Sequence, residues 1–283
     1  MNKINVRHIK EPDFSEGFSI RDIGTLLSER GMVQEVHRHN FFFVLFLEKG
    51  KGEHSIDFIN YPVDDYSVFF MRPGQVHQLT LKQGSKGYLI QFNREFYTPK
   101  EEPVNFVLRK VSNKNHCPLS AERFKKIYSQ LSFIFEEYTQ KQDRYKESII
   151  AYLDILFIAL ARQSPNPHTL SSETKLYAQE RLEELQDLIE KNIYSKKKVS
   201  DYADMLAITL YQLNAITTST LQKKASVLIN EHIILEAKRL LIATTNQVNQ
   251  VADVLGYEDP SYFIRFFKKQ TGLTPEAFRR NFK

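Results

Sequence analysis

Ala252-Asp253-Val254-Leu255-Gly256-Tyr257 runs through Glu258-Asp259 into Pro260-Ser261-Tyr262-Phe263-Ile264-Arg265-Phe266-Phe267-Lys268-Lys269. The first six of these residues have a near-copy upstream, Ala203-Asp204-Met205-Leu206-Ala207-Ile208. A small Ala, a short turn and a second helix let two helices cross tightly, as in a helix-turn-helix. Gly256 supplies the left-handed residue that such a turn needs. Pro260 suits the first turn of the helix that follows. In the first copy, Ser200 and Asp201 read as N-cap and first-turn acid, with the turn at Ala207-Ile208. Its second helix runs from about Leu210 to Leu221, and the second unit opens at Asn246. Between the two units, Val227 to Ala243 reads as one long helix carrying Ile229, Ile233, Ile234, Ala237, Leu240 and Leu241.

Working outward, charge follows the repeat. Of 39 Lys+Arg and 34 Asp+Glu, residues 196–283 hold 13 and 8, so the whole excess of +5 lies on the repeated segment. A basic surface attracts phosphates in a salt-dependent way. Two crossed-helix units side by side therefore point to double-stranded DNA. With 42% hydrophobic and 26% charged residues the composition is that of a globular protein of about two domains. One cysteine, Cys117, excludes a disulfide framework and a Cys-rich zinc site. No signal peptide is visible, and the longest apolar run, Phe41 to Leu47, is too short to span a bilayer. A reducing, cytoplasmic setting is expected, with no membrane partner.

Upstream, residues 1 to about 112 read as β-rich. Strands are expected at Phe41–Leu47, Ser55–Ile59, Ser67–Met71, Gln78–Leu81 and Gly87–Phe92. Gly50-Lys51-Gly52, Asn60-Tyr61-Pro62, Arg72-Pro73-Gly74 and Gly84-Ser85 read as breaks. Then the period changes. Phe124, Ile127, Tyr128, Leu131, Ile134, Phe135 and Tyr138 form a helical stripe behind Ser120 as N-cap. A second helix, about Arg144 to Arg162, is apolar nearly all round. That hairpin is a candidate homodimer interface; the alternative is that it packs only on its own barrel. Gln163-Ser164-Pro165-Asn166-Pro167-His168 reads as a linker, followed by a helix from about Glu173 to Ile193. The domains are expected at 1–162 and 174–283, joined by 163–173.

Gly256-Tyr257, Ser261-Tyr262-Phe263, Arg265, Phe267-Lys268-Lys269, Gly272, Thr274-Pro275 and Phe278-Arg279 carry a resemblance to the AraC-type transcriptional regulators. Glu236-Ala237-Lys238-Arg239-Leu240-Leu241 matches that family's connecting helix. The resemblance covers about residues 180–283. It implies two recognition helices set in successive major grooves, roughly 34 Å apart. The second would offer Pro260, Ser261, Tyr262 and Arg265 to bases, with Arg265 the best reader, because Arg to guanine is the commonest specific contact. Lys268 and Lys269 would lie toward phosphates, and Phe263, Phe266 and Phe267 are core. Tyr262 divides evenly between contact and packing. The first recognition helix offers Tyr211, Gln212 and Asn214, the last suited to adenine. It departs from the family at Ala215, where Arg is common, at Thr217, where a Phe usually packs, and at Gln222, usually Gly. The second unit is therefore expected to carry most of the specificity.

Gly31, His37-Arg38-His39 and Pro73-Gly74-Gln75-Val76-His77 resemble a cupin barrel over about residues 20–95. The resemblance implies a small-molecule effector site, with His37, His39, Arg72 and His77 as its candidate lining. Metal-binding cupins add a glutamate that here is replaced by Phe43 and Val44; three histidines can still hold a metal, but ordinary polar pocket or surface histidines are the preferred reading, and no cofactor is expected. The fold expectation is α+β: an N-terminal cupin-like β-barrel with a helical hairpin, then an all-α C-terminal domain with two helix-turn-helix units. The functional expectation is a sequence-specific, effector-responsive transcriptional regulator, not an enzyme, acting as a homodimer with RNA polymerase a further partner that the family allows. The rival expectation is a metal-dependent cupin enzyme fused to a DNA-binding domain.

Overall fold

The computed structural model describes residues 6–7, 17–27, 31–97, 107–108, 110–162 and 173–282. The chain divides into two compact units, Ile4–Pro167 and His168–Lys283. The expected linker lies outside the described residues except at Glu173.

Among its described residues the N-terminal unit has ten strands. They are β1 (Val6–Arg7), β2 (Phe18–Asp22), β3 (Met32–His39), β4 (Phe42–Lys49), β5 (Gly52–Ile56), β6 (Ile59–Val63), β7 (Ser67–Met71), β8 (Val76–Leu81), β9 (Lys86–Phe92) and β10 (His116–Pro118). A short α1 (Ile23–Leu26) follows β2. The strands form two five-stranded sheets, ordered β1-β3-β8-β5-β6 and β10-β7-β4-β9-β2. Each sheet keeps its own edges, so among the described residues the expected barrel is a pair of sheets and not a closed cylinder.

Strand β4 explains the layering. Successive side chains of a strand point to opposite faces, and here both faces are apolar. Phe42, Val44 and Phe46 join one core with Val68, Phe70, Ile90 and Phe92. Phe43, Leu45 and Leu47 join a second with Ile56, Val63, Leu79 and Leu81, between the two sheets. The first core is closed by the hairpin α2 (Ala121–Gln140) and α3 (Tyr145–Ala161), through Phe124, Ile127, Leu131 and Ile134 and through Ile149, Leu153, Leu156, Phe157 and Leu160. Ser120 caps α2 as expected, its Oγ accepting from the Arg123 N–H. The hairpin thus packs on its own sheet while Phe133, Ile155 and Ile158 stay exposed on its far side.

Two sequence expectations are corrected here. Ser55–Ile59 is not one strand: Asp57 and Phe58 adopt left-handed backbone at φ 46° and 71° and turn β5 into β6. Asn60-Tyr61-Pro62 is not a break but the middle of β6, which is an edge strand where Pro is tolerated.

The C-terminal unit is all-helical: α4 (Glu173–Asn192), α5 (Val199–Met205), α6 (Leu210–Leu221), α7 (Ala225–Ala243), α8 (Val248–Val254), α9 (Pro260–Thr271) and α10 (Pro275–Asn281). No described helix is long and apolar enough to cross a membrane. Ser200 lies inside α5 and is not its N-cap. The cap is Lys198, whose N–H donates to the Asp201 carboxylate at 3.4 Å.

Candidate nucleic-acid interface and the buried histidine cluster

The two copies of the motif make the same turn from different residues. Ile208 N–H donates to Ala203 O at 3.0 Å, and Tyr257 N–H to Ala252 O at 2.9 Å. The left-handed position is Ala207 in the first (φ 53°) and Gly256 in the second (φ 69°). Glycine is required in the second, because a Cβ on Gly256 would lie 2.1 Å from the Tyr194 carbonyl oxygen. That close approach ties the units together. Lys197 Nζ donates to Gly256 O at 3.0 Å and sits 4.9 Å from the Tyr257 ring centroid, and burial lowers its pKa. Tyr257 and Phe266 pack on the core of the first unit, with Leu185, Tyr202, Leu213 and Ile229. The recognition helices α6 and α9 are therefore held by one shared body.

Helix α9 begins at Asp259, whose carboxylate accepts from the Ser261 N–H at 2.8 Å. Phe263 and Phe267 are fully buried. Opposite them, Ser261, Tyr262, Arg265, Lys268 and Lys269 form one exposed stripe at helical spacing, with Pro260 half-buried at its start. The Tyr262 ring is 57% exposed and also lies 6.0 Å from the Tyr257 ring, so it combines exposure with packing. Arg265 meets the Asp259 carboxylate at 3.7 Å, with both side chains well exposed. An exposed pair of that length adds little stability and leaves the guanidinium available to a base edge.

Helix α6 presents less. Tyr211 is 83% exposed. Gln212 is exposed, but its Oε1 accepts from the Thr209 N–H at 2.8 Å and the Thr209 hydroxyl at 3.0 Å, closing the helix start. Asn214 is engaged twice within the protein. Its Nδ2 donates to Leu210 O at 3.0 Å, and its Oδ1 accepts from the Ala225 N–H at 3.2 Å. It thereby serves the first turn of α7, whose N-cap Lys224 offers no capping oxygen. In the second unit Thr274 does this work for α10, accepting from the Ala277 N–H. The structure thus gives Asn214 a connecting role, away from the exposed stripe expected of a reader. Ala215 occupies the exposed position equivalent to Arg265, and Thr217 is fully buried where the second unit has Phe267. The weakly helical run Thr217–Thr220 holds its turn through hydroxyls, such as Thr220 Oγ1 to Ile216 O at 2.6 Å.

In the N-terminal unit the structure brings His37, His39 and His77 together, and adds His54, which the sequence reading missed. All four are at most 4% exposed. His37 Nδ1 lies 2.7 Å from Glu35 O, His37 Nε2 lies 3.0 Å from His77 Nε2, and His77 Nδ1 lies 2.9 Å from His54 Nε2. One tautomer assignment satisfies all three contacts with every ring neutral: His54 donates to His77, His77 to His37, and His37 to the backbone. His39 Nδ1–H donates to Phe41 O at 3.0 Å, and its ring stacks on Phe41 at 4.1 Å. Burial lowers the His54 pKa to about 3, helped by the positive ends of neighbouring His39, His116 and His37. Burial also lowers His116, against the pull of Asp64. Arg72 stands in the turn after β7, its N–H donating to Gln75 Oε1 at 2.7 Å, and the same turn ties Gly74 N–H to His39 O at 2.8 Å. Among the described residues no group of three or more His, Cys, Asp or Glu is arranged to hold a metal ion.

A family model described as a helix-turn-helix domain matches residues 202–281. The chain is 20% identical over 251 residues to the uncharacterized HTH-type transcriptional regulator YfiF of Bacillus subtilis, covering 88% of this chain and 79% of that one. It is 20% identical over 248 residues to the HTH-type transcriptional activator RhaR of Mannheimia succiniciproducens, covering 87% of each. Among solved structures, ToxT from Vibrio cholerae O395 is 14% identical, with a TM-score of 0.43 over 94% of this chain and 98% of that one. The paired units with their exposed α9 stripe define a helix-turn-helix DNA-binding protein. Along most of its length the chain is similar to HTH-type transcriptional regulators.

Proposed function

We propose that the chain recognises operator DNA chiefly through α9, with Ser261, Tyr262 and Arg265 toward base edges and Lys268 and Lys269 toward phosphates. Helix α6 adds Tyr211 and the amide of Gln212, while Asn214 holds the helices together. The observation that carries this reading is the exposed stripe on α9, with an Arg whose contact to Asp259 is long and exposed. The N-terminal unit binds a small-molecule effector, and the protein acts in the cytoplasm as a homodimer without enzymatic activity. The apolar side chains left exposed on the hairpin, Phe133, Ile155 and Ile158, support a second copy there. Contact with RNA polymerase belongs to the same reading. The rival enzyme reading needs its metal held by histidines that here hydrogen bond to one another and to backbone.

Genome-wide mapping of bound sites, followed by binding assays on the sequence found, tests the proposal. Arg265→Ala should weaken specific binding by about 1–3 kcal/mol and relax one base position. Unchanged affinity and preference would remove Arg265 from the interface. A monomeric mass at micromolar concentration would remove the homodimer.

A further inference from the structure

The histidine cluster is linked by hydrogen bonds between its rings and flanked by aromatic side chains, with His54 Nδ1 buried and unsatisfied, and the other face of the β7 sheet is open. A cavity of about 370 Å³ opens there between β7, β10 and the last turn of α3. That volume falls in the range of small-ligand sites. Val68, Phe70 and Leu160 give it an apolar floor continuous with the hairpin core. Lys110 and Lys114 line it as well, and among the described residues no acidic side chain does. An apolar floor with two ammonium groups and no carboxylate is complementary to a ligand with a greasy body and one anionic head.

We propose that this cavity is the effector site and takes an amphipathic monocarboxylate, its apolar body on Val68, Phe70 and Leu160 and its carboxylate toward Lys110 and Lys114. The assignment deepens the effector-responsive reading above, and rests on it only for the consequence in DNA binding. The place suits a regulatory ligand. Leu160 and Ala161 close the final turn of the helix from which the chain leaves toward the C-terminal unit. A ligand wedged there contacts β7, β10 and α3 at once, so it favours whichever arrangement of hairpin and sheet leaves the cavity open.

Cys117 also lines the cavity, and it is the chain's one cysteine. Burial pushes its thiol up, with the Lys114 charge pulling the other way. Maleimide modification at mildly alkaline pH, followed by intact mass, therefore reports on this cavity alone. Decanoate should slow modification of the full-length protein several-fold at concentrations where decanol does not. The double variant Lys110→Glu, Lys114→Glu should lose that protection and gain protection by decylamine. Equal protection by decanol and decanoate, or a double variant that still prefers decanoate, would overturn the anionic class. If no probe protects Cys117, the site itself is wrong. Operator affinity measured in the same samples separates the two readings. Protection of Cys117 with no response in DNA binding keeps the site and removes its regulatory role. A response to another small molecule with Cys117 unprotected keeps the regulator and removes this site.

Discussion

Replacing Gly256 by Ala, and Ala207 by Gly, exchanges the residues at the one turn position that the two units build differently. At Gly256 an L side chain meets two penalties. The backbone is left-handed at φ 69°, which costs about 1–2 kcal/mol. The new Cβ would also stand 2.1 Å from the Tyr194 carbonyl oxygen. That atom is backbone at the end of α4, so relief requires moving the turn away from it and stretching the Lys197–Gly256 contact. Forced overpacking of this kind costs about 1–3 kcal/mol. Together, and allowing for the lower entropy of Ala in the unfolded chain, Gly256→Ala should destabilise the C-terminal unit by about 2–4 kcal/mol. Ala207 is exposed and left-handed at φ 53°. There glycine removes the left-handed penalty but adds unfolded-state entropy, so Ala207→Gly should lie between neutral and about 1 kcal/mol stabilising. Calorimetry of the full chain, following the transition of the helical unit, reads both. Gly256→Ala should lower that Tm by about 10 °C or more and Ala207→Gly should leave it level or raise it. A fall of less than about 3 °C in Gly256→Ala would refute the argument that the two units are locked through this turn.

Acidification tests the neutral histidine network. His54 has its folded pKa lowered to about 3, so its contribution is full above the unfolded value near 6.5. It is lost as pH falls from there toward 3, at up to about 1.4 kcal/mol per pH unit. Denaturant midpoints of the N-terminal unit between pH 7 and pH 4.5 should show that slope, and His54→Phe should flatten it. Asn214→Ala should cost about 1 kcal/mol of stability by uncapping α7 while leaving base preference unchanged at every operator position; a relaxed position in a binding-site selection would restore it as a reader. Arg279 holds the end of α7 and the start of the second unit, its Nε donating to Leu241 O at 2.9 Å and its NH2 to Asn246 O at 2.6 Å. Arg279→Lys keeps the charge but loses the fork, and should weaken full-operator binding about tenfold while footprints of the α6 half persist.

The helical half was legible because the chain states it twice. The repeat fixed the turns, and the buried Phe263 and Phe267 fixed the face of α9 that is left outward. What the repeat could not reveal was where each polar side chain goes once helices meet. Asn214 reads as a base contact because its type suits adenine, and only the structure shows that it also serves the start of α7. Among strands, β7 was legible as an unbroken apolar run between turns. The β5–β6 hairpin was not, because its turn residues Asp57 and Phe58 include no glycine, and because Pro62 resembles a break unless one knows that β6 is an edge. His54 was missed for a related reason. Only the pairing of β5 with β8 brings it to His77, and pairing is not local in sequence.

Strand β4 serves two cores at once, and this bears on how the N-terminal unit comes apart. Losing the hairpin strips Phe42, Val44 and Phe46 of cover, and losing the opposite sheet strips Phe43, Leu45 and Leu47. Neither layer can open without exposing one side of the same stretch, Phe42–Leu47, which pairs with β9 throughout and with β7 from Phe43 onward. The unit should therefore melt in a single step, and the amides of β4 should exchange with solvent only when the whole unit unfolds.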